Sequence, residues 1–172
     1  TSSGKTIAGN LTSTNKFNSV TFNGVGGAWS LSNPAEVNGT LTLTSGILTT
    51  TSTNYLRLLN NASAAVAGTP SSTSHISGPM RWVLNPANTY TFPVGKGGNY
   101  YPFGLSSMTG SAPEIQVEAT NANAGGTADG TTITSISNTE YWQASAVAGT
   151  YTTGKVTLGV SSIGSWSAIG RN

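Results

Sequence analysis

The chain has 172 residues, of which only 7% are charged and 36% hydrophobic; seven basic and five acidic side chains leave a net charge of +2, and there is no cysteine. That length allows one large domain or two small ones with a real core. The lack of cysteine excludes a disulfide framework and thiolate metal sites, scattered Lys and Arg exclude a nucleic-acid footprint, and no apolar run reaches the ~20 residues of a membrane span.

Thr and Ser replace the usual Lys and Glu as surface residues. This suits extracellular β-structure, because Thr is β-branched and packs on a pleated surface while its hydroxyl keeps the outer face wet. The opening "TSSGKTIAGN" lacks the apolar core of a signal peptide, so the chain reads as a mature fragment or as one module of something longer.

Residues 1–80 read as short strands separated by Gly, Asn and Ser turns. The candidates are "SVTFN" (19–23), "AWSLS" (28–32), "GTLTLT" (39–44), "GILTTT" (46–51), "YLRLLN" (55–60), "AAVAG" (64–68) and "SHISG" (74–78). Apolar residues alternate in them, as in Leu41 and Leu43 or Leu56 and Leu58, the period of a strand with one buried face. Every third strand recurs after roughly 24–28 residues, which is the repeat of a solenoid. The expected fold of this half is a short right-handed parallel β-helix of three sides. An antiparallel meander, with a hairpin closing at Thr44-Ser45-Gly46, is the competing arrangement.

Beyond residue 80 aromatics and prolines appear and the strands lengthen: "MRWVLNPANTYTFPVG" (80–95), "YYPFGLSSM" (100–108), "EIQVEAT" (114–120), "TTITSISN" (131–138), "EYWQASA" (140–146), "KVTLGV" (155–160) and "SWSAIG" (165–170). Ile115, Val117 and Ala119 alternate with Glu114, Gln116 and Glu118. Residues 81–172 are therefore expected to form an antiparallel β-sandwich, incomplete on its C-terminal side, with "NANAGGTADGTT" as a polar loop. The chain as a whole is all-β.

Chemistry is sparsely supplied. The carboxylates are Glu36, Glu114, Glu118, Asp129 and Glu140. Glu114 and Glu118 share one strand face roughly 13 Å apart, too far for a glycosidase pair, and read as a solvated outer face. His75 is the only histidine, without a Gly-x-Ser-x-Gly elbow, and reads as a strand-end residue near the junction of the two halves. Asp129 stands almost alone, whereas calcium needs several carboxylates. "VGKGGNYY" lacks the order of a phosphate loop and reads as a β-turn with Lys96 at its tip. The sequons at Asn10, Asn38 and Asn61 are triplets that chance supplies in so Asn- and Thr-rich a chain. No catalytic residue, metal site or cofactor is expected.

The aromatics Trp29, Trp82, Trp142, Trp166, Tyr100 and Tyr101 could stack on sugar rings. Core packing is the reading for Trp82, Phe92 and Trp142, which sit in alternating strands. Tyr100, Tyr101 and Trp166 remain as candidate glycan or partner contacts. In "TFPVGKGGNYYPFGL", Pro93 and Pro102 lack amide donors and can end a ladder, Gly95 belongs to a tight reversal, and Phe92 and Phe103 supply apolar area where two sheet arrangements meet. The stretch reads as a structural joint.

"FNSVTFNGVGGAWSLSNPAEVNGTLTLTSGILTT", then "SSTSHISGPMRWVLNPANTYTFPVGKGGNYYPFGL" and "NTEYWQ", resemble modules of large cell-surface proteins of Bacteroidetes exported by the type IX system, among them gliding and adhesion proteins. The resemblance covers about residues 17–171. It implies a structural or adhesive, non-enzymatic module at the cell surface, whose partners are neighbouring modules, copies of itself, glycans or other surface proteins. In that family the pattern continues into further strands and a sorting domain, and it offers no catalytic residues to carry over. A carbohydrate-binding module using the exposed aromatics is the alternative, and a polysaccharide-degrading β-helix is the third and weakest.

Overall fold

The computed structural model describes residues 4–131 and 135–159. These are all-β with solenoid-like stacking; the helical content is two single turns, Ser13–Asn15 and Ser63–Ala65. The first nine strands are β1 (Lys5–Ile7), β2 (Val20–Leu31), β3 (Ala35–Val37), β4 (Leu41–Thr49), β5 (Leu56–Leu58), β6 (Val66–Gly68), β7 (Ile76–Ser77), β8 (Met80–Val83) and β9 (Tyr90–Phe92). They are followed by β10 (Val94–Lys96), β11 (Asn99–Tyr100), β12 (Phe103–Thr120) and β13 (Tyr141–Leu158).

Successive coils pair in parallel. In one sheet Val20 lies opposite Leu41 and Leu41 opposite Val66, while Lys5 faces Trp29, Leu48 faces Ile76 and Ile76 faces Val94. In the other, Ala35 faces Leu56 and Leu56 faces Met80. Partners stand from 18 residues apart (Ile76 and Val94) to 28 (Leu48 and Ile76). The meander alternative is excluded, since the strands proposed for its hairpin are the single strand β4, paired in parallel on both sides.

"SVTFN" and "AWSLS" likewise form one strand, β2, whose register against β4 shifts between Asn23 and Ala28. The chain thus passes a corner of the coil without leaving the ladder. Gly46 makes this corner in β4: its φ of +94° belongs to the left-handed region, and a Cβ there would overlap the Trp29 ring. Strands β1 and β3 carry no strong sequence signal, being three residues each; their neighbours in the ladder place them.

Inward side chains recur rung by rung. Leu41, Leu43, Leu48, Leu56, Leu58, Ile76, Met80 and Trp82 are almost wholly buried and belong to one core cluster that runs on to Ala119. Each such aliphatic side chain contributes roughly 1.5–3 kcal/mol. The first rung is less covered: Ile7, Leu11, Phe17 and Val20 are only half-buried.

After β10 the chain reverses sense. Strand β12 runs antiparallel to the coil, pairing Phe103–Leu105 with β9 and Glu114–Val117 with β8, and β13 returns along its other side over 18 residues. Four register shifts bend the β12–β13 ribbon, and its middle stretch, around Thr109–Ala112 and Ser145–Thr150, is exposed. "YYPFGLSSM" and "EIQVEAT" are therefore one strand from Phe103 on, and the parts of "EYWQASA" and "KVTLGV" between Tyr141 and Leu158 are another. The expected boundary at residue 80 falls where β8 begins, inside a sheet that extends from β3 to β13. Of the expected strand at 131–138, the described residues are not in a strand, and the one at 165–170 lies outside the described residues.

Candidate functional site at the joint between the sheets

Pro93 separates β9, which belongs to the sheet of β12, from β10, which belongs to the sheet of β7. Pro102 separates β11 from β12 in the same way. Both prolines stand where the chain passes from one sheet to the other, and both keep their carbonyls in use: Pro93 accepts from the Ile76 amide at 2.8 Å and Pro102 from the Gly159 amide at 2.9 Å. A residue without an N–H costs the ladder nothing at such a crossing.

Aromatic side chains fill the space beneath. Phe92 lies opposite Phe103 with ring centroids 6.3 Å apart, and Trp82 meets Tyr90 at 4.8 Å and Phe92 at 5.4 Å, all edge to face. The polar ends are satisfied: the Trp82 indole donates to the Asn60 carbonyl at 2.7 Å, and the Tyr90 hydroxyl donates to the Asn61 carbonyl while accepting from the Asn85 amide.

Gly95 has no room for a side chain, because a Cβ would strike the Asn99 carbonyl and the His75 ring. His75 is fully buried; its Nδ1 lies 3.0 Å from the Ser71 carbonyl, and its Nε2 and the Ser74 hydroxyl have no hydrogen-bond partner among the described residues. Burial holds the His75 pKa below its ordinary value, with the Ser71 carbonyl opposing weakly. The unfolded chain therefore takes up a proton at His75 near pH 6.5 while the fold resists it, so stability falls as pH drops below about 6.5. Thermal melting from pH 7.5 to 5 should show this loss, and a His75→Gln variant should lack it.

Electrostatics gather on the outer face of the β3–β5–β8 sheet. Arg57 grips Glu114 through Nε at 2.9 Å and Nη2 at 2.7 Å, and reaches Glu36 with Nη1 at 2.8 Å. The Ser13 amide donates to the other Glu36 oxygen at 2.8 Å. One guanidinium thus ties the first coils to the reversed strand β12. Arg81 lies 3.7 Å over the Tyr55 ring and donates to Gln116 at 2.8 Å. The expectation of a solvated Glu114 is overturned: it is 5% exposed, and Arg57 reaches it past β8, which lies between β5 and β12 in the sheet. Glu118 faces Lys96 at 3.9 Å.

The candidate contact residues separate. Tyr101 is 3% exposed, packs edge-on to Trp142 and accepts from its indole at 2.9 Å, so it has no face to offer a sugar. Tyr100 is half-buried, opposite Gly95 and beside the His75 ring at 6.4 Å; burial raises its pKa. Trp166 lies outside the described residues.

Tyr100 also lines a groove of about 260 Å³, between β6 and β9. Among the described residues β6 has β4 as its ladder partner and β9 has β12, so the two strands present facing edges that do not pair with each other. No local pattern could have announced this groove, which exists because β9 turns to pair with a strand beginning eleven residues further on.

Among the described residues no three His, Asp, Glu or Cys side chains gather as a metal site, and no helix is long and apolar enough to cross a membrane. Comparison with protein-family models, with curated proteins and with solved structures finds no match.

Proposed function

We propose that this chain is a structural and adhesive module of a secreted bacterial cell-surface protein, of the kind the type IX system exports in Bacteroidetes, and that it stacks end to end as a stalk or filament. The observation that carries this reading is the state of the two ends. Among the described residues β1 and the Val20–Asn23 part of β2 pair on one side only, above the half-buried Ile7, Leu11, Phe17 and Val20. At the other end β13, whose one ladder partner among the described residues is β12, leaves an 18-residue edge. Such edges are templates for strand addition, and uncovered core residues at a terminal rung favour a neighbour.

Strand β13, antiparallel to a strand that itself opposes the coil, runs in the coil's own sense, as a parallel continuation requires. We read the solenoid as right-handed, the hand of about 98% of parallel crossover connections. The β12–β13 ribbon is the antiparallel part, and the sandwich expected for residues 81–172 would be built on it. The reading is non-enzymatic: Glu36, Glu114 and Glu118 are matched to cations, and Asp129 and Glu140 also have partners. The partners are neighbouring modules or copies of this chain, in an extracellular setting.

Sedimentation velocity at rising protein concentration tests the stacking. The expected result is a growing series of oligomers that a Leu11→Lys/Phe17→Lys pair, placed on the first rung, reduces to monomer. A single monomeric species at every concentration would remove the end-to-end model.

A further inference from the structure

Some surface hydroxyls are tied to one another: Thr6 to Ser30 at 3.2 Å, Thr109 to Thr153 at 2.8 Å, Thr51 to Thr53 at 3.2 Å, Ser71 to Thr73 at 3.2 Å. The groove between β6 and β9 gathers several hydroxyls without such ties around one aromatic ring. Ser63, Thr89, Thr91 and Tyr100 line it, and none of their hydroxyls has a partner among the described residues. Tyr100 is the notable one, because its phenol is partly desolvated and still unpaired.

The walls add a second kind of recognition. Val66, Ala67 and Gly68 bring the unpaired backbone edge of β6, and Thr91 that of β9, so amide donors and carbonyl acceptors border the cavity. Pro93 contributes an apolar patch beside the Tyr100 ring. Among the described residues no charged side chain lines the groove. Its volume is below the roughly 300–1,000 Å³ of a drug-sized pocket.

We infer that this groove binds a single unit of a neutral glycan, with Tyr100 supplying its ring and hydroxyl, Thr89 and Thr91 accepting and donating along one side, and the β6 edge along the other. A neutral, hydroxyl-rich ring matches a site with free hydroxyls, an aromatic surface and no charge. An extended peptide would satisfy the two backbone edges but would leave the four side-chain hydroxyls without a role. The site is independent of the stacking proposed above, since it lies on the side of the coil and not at its ends.

Amide spectra of the ¹⁵N-labelled full chain, titrated with maltotriose, cellotriose and mannotriose, test this. The Leu11→Lys/Phe17→Lys chain serves as a second background, so that a failure to stack and a failure to bind sugar are read separately. The expected result is saturable shifts at Ala67, Gly68 and Thr91 with at least one trisaccharide. Binding should weaken about tenfold in Tyr100→Ala, and more modestly in Tyr100→Phe, which keeps the ring. Thr91→Lys, an exposed change that leaves the core alone, should block the groove. No saturable shift with any of the three sugars, shifts that survive in both Tyr100→Ala and Thr91→Lys, or saturation by a Thr-Val hexapeptide in place of the sugars would overturn the assignment.

Discussion

Replacing Trp82 by alanine is expected to cost about 4 kcal/mol, the largest loss of any single substitution in the joint. Trp82 is wholly buried, contacts Tyr90 and Phe92 edge-on, and donates to the Asn60 carbonyl. The change removes the ring, leaves a cavity between the last full coil and β9, and strands an acceptor that had been satisfied. Trp82→Phe keeps most of the ring and should cost about 1–2 kcal/mol. Urea unfolding followed by far-UV circular dichroism measures both, with Val25→Ala, at an 87% exposed position, as a control within about 0.5 kcal/mol of the parent. A Trp82→Ala chain as stable as that control would mean that the aromatic cluster does not hold the two sheets together.

Arg57→Met should be the next most damaging change, at about 2–4 kcal/mol, because the apolar chain remains while Glu114 and Glu36 lose their cation. The figure is set below the full range for a buried pair since the Arg57 side chain is 31% exposed. Adding Glu114→Gln and Glu36→Gln to the Arg57→Met chain should restore part of the loss, as the isolated charges are then gone. Acid titration gives a second reading. Burial pushes the Glu36 carboxyl upward, but the hydrogen bonds from Arg57 and the Ser13 amide, with the Arg57 and Lys16 charges, outweigh it and hold the pKa below the ordinary value of 4.5. Its contribution is therefore present above about pH 4.5 and disappears as pH falls through the lowered value. The parent should lose this increment in acid, and Arg57→Met should have less of it to lose. Equal stability of parent and Arg57→Met from pH 7 to 3 would contradict the clamp.

Much of the architecture was legible because it is periodic. Alternating Leu41, Leu43, Leu56 and Leu58 mark the buried face of each rung, and a spacing of two dozen residues marks the coil. What local pattern conveys poorly is continuity around a corner. At Gly46 the chain looks broken by a turn residue, yet the ladder goes on, since the left-handed φ redirects β4 without freeing it. Three-residue strands such as β3 are invisible for a related reason: their identity resides in the neighbours at Leu11 and Leu56, not in "AEV".

Pro93 and Pro102, which stand between strands of different sheets, carry their restriction in their own chemistry. The clamp was not legible in this way, because Arg57 and Glu114 are 57 residues apart and meet only after β12 has reversed across β8. Tyr100 and Tyr101 show the same limit within one dipeptide. Adjacent residues on a strand face opposite ways, so one came to line a groove and the other was buried under Trp142.

The geometry of the β12–β13 ribbon has a mechanical corollary. Phe103 and Leu158 sit side by side at one end of the ribbon, while Thr120 and Tyr141 pair at the other. Tension applied through the flanking chain loads the interstrand bonds one at a time from the Phe103–Leu158 end, a zipper opened at its mouth, whereas the stacked coils behind it stay locked through Arg57. Under load this hairpin should yield first, releasing slack before the stacked coils give way.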